Sequence, residues 1–329
     1  MSRGVILSAP ASGCGKTVLT LGLLRLLHRR NTRAVSAKIG PDYIDPAFHA
    51  AASGRPCLNL DPWAMRPETI AALVALLERD AELVLCEGAM GLFDGAGSAG
   101  SDGTTADLAA LTGWPVVLVV DVAGQSGSAA ALLRGFAGHR ADVPIAGVIF
   151  TRGGGPRHGT MLESSVRTAL PDLPILGQVP RHAELALPER HLGLVQASEH
   201  ADLDRFLDRA ADIMSAAIDL PRLTGLAKAS HLAAVPPARP LAPLGQRIAV
   251  ARDVAFAFAY PATLAGWRDA GAELRFFSPL ADEPPDAEAD AVYLPGGYPE
   301  LHAGSIAGNR RFLGGLREAA QRGAAIYGE

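Results

Sequence analysis

Residues 9–17 read Ala-Pro-Ala-Ser-Gly-Cys-Gly-Lys-Thr, directly after the apolar run Val5–Ser8 and directly before a helical pattern. A glycine-rich turn between strand and helix points several backbone N–H groups at one spot, near the positive end of the helix dipole. Such a turn cradles phosphate. Ser12, Gly13, Cys14 and Gly15 would form it, Lys16 would reach the β- and γ-phosphates, and the Thr17 hydroxyl would ligate Mg²⁺. Pro10 stands where the usual pattern has its first glycine, so Ser12-Gly13 supplies the flexibility of this variant loop. The chemistry implied is the handling of a nucleoside triphosphate.

Two further loops belong at the same place, because the carboxyl ends of parallel strands converge on one edge of a sheet. One is Lys38-Ile-Gly-Pro-Asp-Tyr-Ile-Asp-Pro46 and the other Glu87-Gly-Ala-Met-Gly-Leu-Phe-Asp-Gly95. Magnesium takes carboxylate oxygens in octahedral geometry and keeps some waters, so Asp45 and Glu87 are its expected ligands beside Thr17. Asp42 and Asp94 either support those groups or face a substrate. The plainer alternative is that these aspartates cap turns next to Pro and Gly. It fits Glu87 poorly, since an unpaired carboxylate at the end of a buried strand is costly.

The elements that must hold these loops follow from hydrophobic pattern. Residues 1–227 alternate short β-rich runs with helical spacing, the signature of a mostly parallel sheet. Strands are expected at Val5–Ser8, Ala34–Ala37, Leu83–Cys86, Val116–Val120, Ala146–Phe150 and Ile175–Val179. Leu19, Leu23, Leu26 and Leu27 mark a helix over 18–30. Residues 228–246, with Pro236, Pro237, Pro240 and Pro243, read as a proline-stiffened linker. Residues 247–329 then give a second α/β unit. Its strands are Arg247–Arg252, Leu274–Phe277, Ala291–Leu294 and a buried Ala324–Tyr327, with a helix over 309–322.

Composition narrows the function classes. A chain of 329 residues that is 49% hydrophobic accommodates two domains, and a net charge of −4 provides no drive toward nucleic acid or an anionic membrane. No apolar run approaches the ~20 residues that span a bilayer. Met1-Ser-Arg-Gly leads straight into a strand without the pattern of a signal peptide. Three cysteines without metal-ligand spacing suit a reducing cytoplasm.

With these strings in view the chain resembles the cobyrinic acid and hydrogenobyrinic acid a,c-diamide synthase family. The resemblance is carried by Ser12–Thr17, Lys38–Asp45, Glu87–Gly95, Leu187-Pro-Glu-Arg-His-Leu-Gly-Leu194 and Leu294-Pro-Gly-Gly-Tyr-Pro-Glu300. The first part is similar to dethiobiotin synthetase, a P-loop fold, and the last to the first half of a class I glutamine amidotransferase domain. The family implies an ATP- and Mg²⁺-dependent ligase acting in cobalamin biosynthesis. It phosphorylates the c and then the a carboxylate of the corrin ring, and glutamine-derived ammonia displaces the phosphate. The resemblance carries catalytic weight to Lys16, Asp42, Asp45, Glu87 and Asp94 and substrate contacts to Tyr43 and Ile44. A substrate with many carboxylates needs cations nearby, and the candidates are Arg181, Arg190 and His191, of which Arg190 and His191 sit inside a family motif, whereas Arg157 and His158 read first as solvated surface. Gly296 and Gly297 would supply backbone N–H groups of an oxyanion hole. A homodimer is compatible with this fold superfamily.

Two departures from the family pattern stand out. Thr151-Arg152, expected to contact ATP, replaces a usual Asn-Arg and so lacks the bidentate amide. In the family the residue after Gly328-Glu329 is the nucleophilic Cys, with its His partner further on, so this chain is expected to amidate from free ammonia alone. Three rivals compete with the diamide synthase. A partitioning-type P-loop ATPase would need a lysine among residues 9–12, where none stands. A cobyric acid synthase would lack Gly-Pro-Asp-Tyr-Ile-Asp, and a bare glutaminase would need the Cys.

Overall fold

The computed structural model describes residues 3–79, 81–97, 103–187, 189–190, 193–232 and 241–329, for 189–190 and 193–194 as backbone. Arg190 is thus placed by its backbone, and His191 lies outside the described residues. Two units separate at Met1–Pro237 and Ala238–Glu329.

In the first unit the short apolar runs become strands buried along most of their length. They are β1 (Arg3–Ser8), β2 (Ala34–Ile39), β3 (Cys57–Leu60), β4 (Leu83–Glu87), β5 (Val116–Asp121), β6 (Ile145–Gly153) and β7 (Ile175–Pro180). They form one parallel sheet of seven strands in the order β3-β2-β4-β1-β5-β6-β7. The crossovers are helices α1 (Lys16–Arg29), α2 (Ile44–Ser53), α3 (Pro67–Arg79), α4 (Thr105–Thr112), α5 (Gly127–His139) and α6 (Pro156–Ala169). Two-residue strands β8 (Glu189–Arg190) and β9 (Gly193–Leu194) pair antiparallel before α7 (Leu203–Ala217) and α8 (Leu220–Leu226).

A sheet covered on both faces needs continuous apolar strands, because neither side of the pleat sees water. Leu7, Leu85, Val117 and Ile149 join one core cluster with Leu19, Leu23, Leu26 and Leu27 of α1 and with Leu207 and Met214 of α7. The alternate residues Ile6, Val84, Leu118 and Val148 are equally buried, so the opposite face is covered too. Each fully buried leucine contributes ~1.5–3 kcal/mol relative to exposure. That core fixes the carboxyl edge on which the loops of interest stand.

β3 is absent from the sequence expectation. Four residues with Asn59 among them, just after Gly54-Arg55-Pro56, fall below what an apolar run reveals. The asparagine is buried because its Nδ2 donates to the carbonyls of Gly40 and Asp42, at 2.9 and 2.7 Å. It ties the loop after β2 to the neighbouring strand.

The second unit is a smaller parallel sheet of β10 (Arg247–Ala251), β11 (Glu273–Phe277), β12 (Ala291–Leu294) and β13 (Ala325–Gly328), in the order β11-β10-β12-β13. Helices α9 (Pro261–Asp269), α10 (Ala303–Gly308) and α11 (Arg310–Gln321) accompany it. β13 corrects one expectation: among the described residues it is an edge strand bonded to β12 alone, and all its residues are exposed rather than buried. Among the described residues no helix is long and apolar enough to cross a membrane.

Candidate active site

The turn between β1 and α1 takes the shape its sequence requires. Gly13 and Gly15 both hold positive φ, 78° and 87°, a conformation in which a Cβ would strain the backbone. Among the described residues no side chain caps α1, so its first N–H groups remain available to an anion. Lys16 is buried and its Nζ donates to the carbonyls of Met90 (2.5 Å) and Ala11 (3.3 Å). Burial pushes this ammonium below its ordinary range, and the nearby Glu87 carboxylate offsets part of that. The loop after β4 lies directly on the turn, since Leu92 N–H donates to the Ala9 carbonyl at 2.8 Å.

Beside the turn is a buried cluster of charge. Lys38 and Glu87 are register partners at the carboxyl ends of β2 and β4. Lys38 Nζ donates to Asp45 Oδ2 (2.5 Å) and to Glu87 Oε1 (2.9 Å). Thr17 Oγ1 donates to the same Glu87 oxygen at 2.7 Å, and His49 Nε2 meets Oε2 at 2.8 Å. Asp45 and His49 share a face because they sit one turn apart on α2. Burial penalises an ionised Glu87, but Lys38 and His49 outweigh that and hold its carboxyl below the usual range. Burial likewise opposes charge on His49, yet Cys57 and Glu87 push its pKa up to about 10. Asp45, where burial outweighs Lys38, is pushed up to about 6. With Asp45 ionised, two cations and two carboxylates balance, which is the condition for burying them together.

The structure gathers Lys16, Thr17, Asp45 and Glu87 into this one place. Lys38 and His49 belong to it as well, although sequence reasoning assigned them no role. Lys38 had a visible signal, since a lysine inside a fully buried strand demands carboxylate partners. His49 had only its helical spacing from Asp45. Asp42 caps α2: its Oδ1 accepts from the N–H of Ile44 and Asp45, at 2.8 and 3.0 Å. Asp94 is exposed and its Oδ2 accepts from Gly91 N–H at 2.9 Å, tightening the loop that carries Met90. Tyr43 and Ile44 are half-buried at the start of α2.

The remaining residues lie elsewhere. Arg181 follows β7, at the opposite edge of the sheet from β2 and β3. The segment after it returns, because β9 packs on α2 and pairs with β8, which carries the backbone of Arg190. His158 serves its own loops, with Nε2 at 2.5 Å from the Gln125 carbonyl and Nδ1 accepting from Gly154 N–H. In the second unit Gly296 accepts from Phe258 N–H at 2.8 Å. A Cβ on Gly297 would lie 2.1 Å from the Ala255 carbonyl oxygen, so that position admits glycine alone.

Thr151 and Arg152 both reach the phosphate turn. The buried Thr151 hydroxyl donates to the Cys14 carbonyl at 2.8 Å. Arg152, at φ 53°, donates to the Gly13 carbonyl (2.8 Å) and to Asp121 (2.5 Å). Thr151 thus fixes the turn from β6. Thr151→Val would leave a buried carbonyl unpaired at a cost of ~1–2 kcal/mol, which predicts nucleotide affinity about tenfold weaker. Titration with a fluorescent ATP analogue measures this, and Thr151→Ser is expected to bind as wild type does.

A parallel sheet, a glycine turn and a Gly-Lys-Thr helix start define a P-loop nucleotide-binding domain. Residues 5–195 match the family model of the CobQ/CobB/MinD/ParA nucleotide binding domain, and residues 247–329 match the CobB/CobQ-like glutamine amidotransferase domain. Hydrogenobyrinate a,c-diamide synthase of Brucella anthropi is 55% identical over 329 residues, covering 99% of this chain and 74% of that protein. Its counterpart in Rhodobacter capsulatus is 51% identical over 334 residues, again 99% and 74%. Chloroplast FtsY of Physcomitrella patens superposes with a TM-score of 0.40 at 16% identity, over 64% of this chain and 65% of that one, a likeness too low to add to these. The chain belongs to the hydrogenobyrinate a,c-diamide synthase family of amidating ligases.

Proposed function

We propose that this chain converts the c and then the a side-chain carboxylate of hydrogenobyrinate, or of its cobalt-bearing counterpart cobyrinate, into amides at the expense of ATP. One observation carries the reading: Lys16, Thr17, Asp45 and Glu87 converge beside a phosphate-binding turn. A carboxylate is a poor acyl donor. Its oxygen attacks the γ-phosphorus, the bond to ADP breaks, and an acyl phosphate forms. Ammonia then adds to the acyl carbon through its lone pair, phosphate leaves with the carbon–oxygen electrons, and loss of a proton gives the amide.

Lys16 binds the phosphoryl oxygens and offsets the charge that develops on them. Thr17, Asp45 and Glu87 would hold Mg²⁺, whose hard-oxygen preference suits a hydroxyl and two carboxylates. Held there, the ion would supply positive charge against the phosphates. No set of three or more His, Cys, Asp and Glu among the described residues is arranged to hold an ion, so phosphate oxygens and water would complete its shell. Lys38 keeps Asp45 and Glu87 ionised and in register.

In this reading residues 1–227 carry the activation step and 247–329 belong to the amidotransferase domain that takes nitrogen from glutamine, with 228–246 as the linker. The cytoplasm is the expected compartment, and the three cysteines, all unpaired, suit its reducing conditions.

The test incubates the chain with hydrogenobyrinic or cobyrinic acid, ATP and Mg²⁺, with glutamine or ammonium in separate reactions, and follows mass. Two successive carboxyl-to-amide steps that require ATP are expected. A folded, ATP-binding protein that changes neither macrocycle with either donor would sink the reading.

A further inference from the structure

Trp63 is 68% exposed, whereas the other two tryptophans, Trp114 and Trp267, are 0% and 4% exposed. Single exposed apolar residues are common on soluble proteins and need no explanation by themselves. This one differs in how it is presented and where. Asp61, buried at the end of β3, accepts from the N–H of Trp63 and Ala64 through Oδ1, at 2.9 and 3.2 Å. Met65 N–H closes the same turn on the Asp61 carbonyl at 2.9 Å. Gly103, just before α4, packs close against the Trp63 Cβ. The indole therefore stands on a fixed turn, and little entropy is lost when a ligand meets it.

The turn follows β3, so it rises from the same carboxyl edge as the phosphate site. Crossing the sheet from β3 through β2 and β4 to β1, the loops present Trp63, half-buried Tyr43, 51%-exposed Met90 and finally Lys16. Three strand spacings separate β3 from β1, ~14 Å. That is a span suited to a macrocycle whose edge carboxylate must reach Lys16. Arg66, three residues beyond Trp63, is exposed and makes no ion pair among the described residues. An aromatic face with a guanidinium close by in the chain suits a flat conjugated ring bearing carboxylate arms. Thr151, which bears on the other flank of the turn, lies in β6, on the far side of β5 from β1, so the β2–β3 side is left to the acceptor.

We infer that Trp63 is a substrate-positioning residue: its indole stacks on the tetrapyrrole face at the outer end of the row Trp63, Tyr43, Met90 that leads to Lys16. The inference rests on the proposed amidation of a corrin carboxylate. It adds a residue that neither the motifs nor the family match assigns.

Iodide quenching of intrinsic fluorescence reads Trp63 selectively, since the other two indoles are buried. Hydrogenobyrinic acid is expected to lower the iodide Stern–Volmer slope several-fold. In Trp63→Ala the KM for the macrocycle should rise about tenfold or more, with the KM for ATP unchanged and kcat at saturation little altered. Trp63→Phe should recover most of the loss. Two results overturn the inference and leave the amidation standing. One is a wild type that amidates the macrocycle while Trp63 stays open to iodide and Trp63→Ala keeps a normal KM. The other is shielding of Trp63 that follows protein concentration without ligand, which would mark contact between copies. A wild type that neither binds nor amidates the macrocycle takes down both.

Discussion

Lys16→Ala is expected to lower ATP-dependent amidation by at least about a hundredfold while leaving the protein folded. The reason lies in how this lysine is buried. Its ammonium is almost out of water, yet among the described residues its hydrogen-bond acceptors are two neutral carbonyls, those of Met90 and Ala11, and it makes no ion pair. A buried cation held by neutral dipoles keeps most of its demand for an anion. The uncapped start of α1 and the open N–H groups of the glycine turn point the same way. A phosphoryl group arriving there meets a fixed positive charge that need not reorganise, and removing one such contact costs ~10²–10³ in rate.

Stability should respond differently. Deleting Lys16 strands no partner charge, because none is paired with it. Two carbonyls lose one donor each, which costs ~1–3 kcal/mol apiece where water does not replace it. The measurement is ADP release with the macrocycle as acceptor, set beside the melting temperature. Turnover at the wild-type rate would remove Lys16 from the phosphate site. A collapse in melting temperature would mean that its burial is structural instead.

Much of this site was legible before any fold was known, and the rest was hidden for physical reasons. The glycine turn announced itself because only glycine reaches the φ of 78° and 87° that Gly13 and Gly15 hold. Glu87 stood out because a carboxylate closing a buried strand must have partners, and it has three. The partners were harder to see. Lys38 and Glu87 are 49 residues apart and become neighbours only once β2 and β4 pair in register. His49 sits on a helix whose pattern says that the face is buried but not what it touches. β3 was missed because four residues give no periodicity, and with it went Asn59, Asp61 and the presentation of Trp63. The aspartates divide. Asp45 joins the cluster, whereas Asp42 and Asp94 accept backbone N–H groups in their own turns.

The same cluster sets the largest expected effect on stability. Lys38→Met should destabilise the first unit by ~3–5 kcal/mol, the usual cost of stranding buried charge. For a unit of this size that lowers the melting temperature by of order 10 °C. Lys38 balances Asp45 and Glu87 at once, and His49 alone cannot replace it, since its Nε2 reaches only Glu87 Oε2. The pH dependence separates this account from a simple packing defect. In the wild type Glu87 is held below the usual carboxylate range, so its contribution is complete above the unfolded value near 4.3 and is lost as pH falls further. In the variant burial prevails, and at least one carboxyl titrates above its unfolded value. Its ionisation then costs stability at neutral pH, a cost relieved as the group takes up a proton on acidification. The gap in melting temperature should therefore be widest near pH 8 and close toward pH 5. His49, raised to about 10 in the wild type, loses its contribution as pH climbs from about 6.5 toward that value, but its contact with Glu87 does not involve Lys38, so this loss is common to both proteins and leaves the gap unchanged. Adding Asp45→Asn to the variant removes one of the stranded charges and is expected to recover part of the loss at pH 8 but little at pH 5. Parallel melting curves for variant and wild type across that range would show that Lys38 fills space there and does not balance charge.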